Sequence, residues 1–199
     1  MRFFSKIALA SSVIFVASLS TTSSYAQTPT LKMTNPLLKR STLQYQAPPF
    51  NLIKDEHFKP AFEYALKVHN QEVRKIATNK AKPTFMNTVV ALEISGVDLI
   101  RAASNFYNLT GSNTNPTLQS IEAEYAPIFS AHNDQIYLNS QLYNRFKAIN
   151  LNSLKGEDKK LTEYYLQKFE LAGANLSAAD KVKRKQINGA LASLRTLHG

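Results

Sequence analysis

Apolar residues recur at intervals of three and four along most of this chain, the spacing of one helix face. Phe58, Ala61, Phe62, Ala65, His69, Val73 and Ile76 form the first such stripe, with Pro60 tolerated in its opening turn. Lys82-Pro83 is expected to break that helix, and Thr84 to cap the next one. The second helix carries Phe85, Val89, Leu92, Ile100, Ala103 and Tyr107 and closes near Thr110-Gly111. Asn115-Pro116 is a start signal, an N-cap followed by proline at the first helical position. From there Leu118, Ile121, Tyr125, Ile128, His132, Leu142, Phe146 and Ile149 keep the helical spacing, with Pro127 expected to kink the run and Asn139 to end one helix and cap another. A further helix runs from about Asp158 to Ala172, with Leu161, Tyr165 and Phe169 inward and Gly173 as its C-cap. Ser177-Ala178-Ala179-Asp180 opens the last helix as an acidic capping box, and Ile187, Leu191, Leu194 and Leu197 form its stripe.

Residues 27–56 differ, because Asn35-Pro36 and Ala47-Pro48-Pro49 favour extended, irregular backbone. Neither alternating strands nor a repeat of 20–50 residues is present. The expected fold is all-α: antiparallel helices joined by short Pro, Gly and Asn turns over 57–199, after the irregular segment 27–56.

Residues 1–26 read as a signal peptide. Arg2 and Lys6 precede the uncharged run Ile7–Leu19, and Ser24-Tyr25-Ala26 offers small residues for cleavage after Ala26. That run is too short to span a bilayer comfortably. The mature chain is therefore expected to be exported and periplasmic, with no membrane partner after cleavage. Cysteine is absent, which excludes thiol catalysis, disulfides and Cys-rich zinc sites. The net charge of +10 becomes +8 once Arg2 and Lys6 leave. Its densest run, Lys181-Val182-Lys183-Arg184-Lys185, has no interleaved aromatics and reads as a solvated helix face, so no nucleic-acid partner is expected.

Catalytic chemistry is not legible. The four histidines are His57, His69, His132 and His198; none makes the i, i+4 pair of a helical zinc site, and H-E-x-x-H is missing. His57 and His69 would lie about 18 Å apart on a continuous helix, beyond the reach of one metal. His69 and His132 read as core or boundary histidines. Glu122 and Glu124 point in different directions and make no acid/base pair. No Gly-rich phosphate loop or G-x-S-x-G elbow occurs. Catalytic, cofactor-binding and metal-ligating residues are accordingly assigned as none.

Three stretches carry a resemblance: FNLIKDEHFKPAFEYAL (50–66), FYNLTGSNTNPTLQSIEAEYAPIFSAHNDQIYLN (106–139) and KLTEYYLQKFELAGANLSAADKVKRKQINGALASL (160–194). Together they resemble the N-terminal region of the peptidyl-dipeptidase Dcp/oligopeptidase A family, which are thimet-oligopeptidase-like zinc metallopeptidases, with the peptidyl-dipeptidase branch the better fit. The resemblance implies helices that form part of a channel wall admitting short peptides, in an enzyme that removes C-terminal dipeptides. It places one zinc ion on H-E-x-x-H and a later Glu far downstream, beyond these positions. The resemblance thus implies a chain truncated before the catalytic part and inactive alone. Its last helix would pack against helices encoded further on, or drive self-association if unpartnered. The alternative expectation is a free-standing exported helical module that binds peptides or a partner without cleaving them.

Overall fold

A computed structural model of the chain describes residues 34–197, so the proposed signal peptide and His198 lie outside the described residues. The fold is all-α, and no strand occurs among the described residues. Helix α1 spans Phe58–Ala77. A π-helical turn, Phe85–Val90, runs into the short α2, Ala91–Glu93. Then come α3 (Val97–Ser112), α4 (Pro116–Tyr137), α5 (Ser140–Lys147), α6 (Gly156–Ala172) and α7 (Ala178–Leu197). No helix among the described residues is long and apolar enough to cross a membrane.

Local chemistry sets most boundaries. The side chains of Thr84, Asn115 and Asn139 accept from the backbone N–H groups of Asn87, Leu118 and Leu142, satisfying donors that a helix start leaves free. Gly173 ends α6 in the left-handed region, with φ +102°. Ser177 Oγ accepts from the Asp180 N–H and donates to its carboxylate, opening α7. Helix α4 runs unbroken through Pro127.

Three expectations need correction. The helix expected to reach Lys82 ends at Ala77, where Thr78 caps it and returns its hydroxyl to the Arg74 carbonyl. The helix expected to run from Thr84 to Thr110-Gly111 is broken at Ile94–Gly96, where Gly96 adopts φ +70°. That turn resets the helical phase of α3. Leu99, Ala102 and Phe106 face inward, while Ile100 and Tyr107 are 59% and 47% exposed. In α4 the ring turned inward is Phe129, which meets Phe62 edge-on at 4.9 Å, and Ile128 is exposed.

Two hydrophobic cores result. The first joins Leu37 and Leu38 of the N-terminal segment to Phe58, Phe62, Phe106 and Ile121. The second gathers Val73, Val89, Leu142, Phe146 and Phe169. Helices α1 and α4 run through both: Ala65 and Tyr125 belong to the first core, Val73 and Ile136 to the second. A buried cation supports the second. Arg145 donates to the carbonyls of Asn79 (2.5 Å) and Ala81 (3.1 Å), and to Asn87 Oδ1 and Thr88 Oγ1. It thereby fixes the loop between α1 and the π-helical turn.

Candidate functional site

Side chains with chemical potential converge at the seam between the two cores. His69 and Asn70 come from α1, Ser95 and Gly96 from the phase-breaking turn, and His132 from α4. Ser95 Oγ donates to the Leu92 carbonyl (2.7 Å), which can only accept. His69 Nε2 lies 3.1 Å from that hydroxyl oxygen, and His69 Nδ1 lies 3.0 Å from His132 Nε2. His132 Nδ1 donates to Asn70 Oδ1 at 3.1 Å, an oxygen that can only accept. The Glu72 carboxylate accepts from Gly96 N–H at 2.8 Å, which holds the turn against α1.

This relay is built for neutral imidazoles. Burial lowers the His69 pKa despite the pull of Glu72, and burial together with His69 brings His132 down to about 4. Each ring nitrogen is occupied, so neither histidine is poised as a base or a metal ligand. The arrangement ties α1, the turn and α4 together where the apolar cores part.

The remaining residues weighed in the sequence do not converge. His57 Nδ1 accepts from the Lys54 N–H in the turn before α1. Glu124 pairs with Lys59, whereas Glu122 lies towards Tyr107. Of the basic run, Val182, Lys183, Arg184 and Lys185 are exposed on α7, and Lys181 reaches Ser140 Oγ. A cleft of about 380 Å³ opens between the N-terminal segment and α3, lined by Lys39, Arg40, Arg101, Ile53 and Ile100 among others. No group of three His, Asp or Glu side chains that could hold a metal ion converges among the described residues. The seam histidines were missed as a pair because they stand 63 positions apart. No periodicity within one helix could join them.

No family model matches the chain. Among characterised proteins it is 39% identical over 165 residues to the dipeptidyl carboxypeptidase of Salmonella typhimurium, covering 81% of this chain and 24% of that protein. It is 38% identical over 164 residues to the Escherichia coli dipeptidyl carboxypeptidase, covering 80% and 24%. Oligopeptidase A of Haemophilus influenzae is 28% identical over 171 residues, covering 83% and 24%. The chain thus spans about a quarter of the length of these relatives. Its span is consistent with an N-terminal fragment of a peptidase of the dipeptidyl carboxypeptidase and oligopeptidase A kind.

Proposed function

We propose that this chain forms part of the substrate-restricting wall of an exported, zinc-dependent peptidyl-dipeptidase and contributes no catalytic group of its own. The observation that carries the reading is the 39% identity over 165 residues in a chain that contains no H-E-x-x-H. A wall of this kind works by shape. Helices locked on aromatic cores exclude folded proteins sterically and leave room for short, flexible peptides, while hydrolysis is carried out by groups elsewhere in the enzyme. The interlocked rings of Phe58, Phe62 and Phe106, 5.1–6.0 Å apart, suit such a rigid element. The charged start, apolar run and Ala26 site support export to the periplasm.

A chimera tests the proposal. The matched quarter of the Salmonella dipeptidyl carboxypeptidase is replaced by this chain, and release of C-terminal dipeptides from short peptides is followed with and without a chelator. Chelator-sensitive release at a rate within tenfold of the parent is expected. A folded chimera without activity would refute the reading.

A further inference from the structure

Helix α7 is attached by its polar side. Asn188 Nδ2 donates to Asp134 Oδ1 of α4 at 2.7 Å, and Lys181 Nζ donates to Ser140 Oγ at 2.5 Å. Asn188, Gly189, Ala192, Ser193 and Thr196 are half-buried, and none of the described α7 side chains is fully buried. The apolar stripe is turned away from the protein: Ile187, Leu191 and Leu194 are 56%, 47% and 50% exposed. An amphipathic helix ordinarily does the reverse, burying the apolar stripe and leaving the polar side to water.

We propose that the face bearing Ile187, Leu191 and Leu194 is an assembly surface, covered by a further amphipathic helix of the same peptidase fold; this rests on the function proposed above. Two observations select that occupant over a second copy of the chain. The first is area. Three half-exposed aliphatic side chains offer roughly 100 Å² each at most, so a two-fold pair through this patch would bury well under the ~800 Å² per partner of a stable interface. A helix covalently joined to the same fold needs no such area, because its effective concentration is already high, on the order of millimolar. The second is length. About three quarters of each relative's length lies outside the matched part, ample to supply that helix. The flank adds chemistry: Arg195 is exposed beside the stripe. The covering helix is therefore an apolar stripe with an acidic residue where it meets Arg195.

The chimera and the isolated chain test this by hydrogen exchange and sedimentation. In the chimera, amides of α7 should exchange at least tenfold more slowly than in the isolated chain. Leu191→Asp should lower its dipeptidase rate at least tenfold, and Leu43→Asp, at a comparably exposed site, should not. In the isolated chain Leu191→Asp should leave the unfolding midpoint unchanged. An active chimera indifferent to Leu191→Asp, with α7 exchanging as in the free chain, overturns this inference and leaves the proposed function standing. A folded, inactive chimera with protected α7 does the opposite. A tight dimer of the isolated chain that Leu191→Asp dissolves assigns the face to a second copy and overturns the inference, as does a chimera that fails to fold.

Discussion

His132 Nε2 and His69 Nδ1 lie 3.0 Å apart, joining the two helices that run through both hydrophobic cores. The seam is polar because each of its groups has a partner there. Ser95 closes the relay on one side and Asn70 on the other. Replacing any member leaves a neighbour buried without a bond, which costs more than the bond itself contributed.

Acid should weaken the protein through this pair. In the unfolded chain His132 titrates near 6.5, whereas in the folded chain it holds out to about 4, and His69 is shifted in the same direction. Between those values the unfolded state binds protons that the native state refuses. The pair's stabilisation is therefore complete above pH 6.5 and is lost progressively as pH falls towards 4. Urea midpoints measured from pH 7.5 to 4.5 should show a drop that His132→Gln flattens. Parallel curves for the two proteins would refute the assignment.

Gly96→Ala should destabilise the fold by at least about 2 kcal/mol, since an L-residue is strained in this left-handed conformation. The added Cβ would also lie 2.6–2.9 Å from the His69 ring. At Gly111, inside α3, a new Cβ meets nothing within 4 Å. There the same substitution should stabilise by up to about 1 kcal/mol. Denaturant titration of the two variants should give shifts of opposite sign.

Arg145→Met should lower stability by about 3 kcal/mol, because one charged donor serving several acceptors is lost. The fully buried Thr88 hydroxyl, Asn87 Oδ1 and the carbonyls of Asn79 and Ala81 are the groups at risk. Arg145→Lys should recover less than half of the loss, since an ammonium cannot reproduce the fork that spans these acceptors. Equal midpoints for Lys and Arg would show that charge alone suffices.

Phe62→Ala should cost about 3–5 kcal/mol, the range for emptying an aromatic site in a packed core. Phe62 is 0% exposed and lies within 6.0 Å of the rings of Phe58, Phe106, Tyr125 and Phe129. Ile100→Ala, on the outer side of α3, should stay within about 0.5 kcal/mol. Comparable losses at both positions would mean that α3 keeps the phase of an unbroken helix.

Much of the fold was legible because its signals are local. Thr84, Asn115, Asn139, Gly173 and Ser177 each act within four residues, and each acts as its residue type dictates. The break at Gly96 was hidden, since an isolated glycine in a helical pattern is tolerated; only the Glu72 carboxylate and the His69 ring, more than twenty positions away, select the left-handed turn. Reading through that break put Ile100 and Tyr107 on the wrong face. The seam pair and the Arg145 clamp were invisible for the same reason, as their partners are brought together by tertiary packing alone. Ile187, Leu191 and Leu194 were recognised as a stripe, but the sequence could not say that α7 would attach by its other side.

The account stands on the claim that these 199 residues carry scaffold and no peptide-cleaving centre. The direct measurement incubates the purified chain with an acylated tripeptide, first with added zinc and then with a chelator. Dipeptide release indistinguishable from the protein-free blank in both is the predicted result. Release that the chelator abolishes and zinc restores would contradict it.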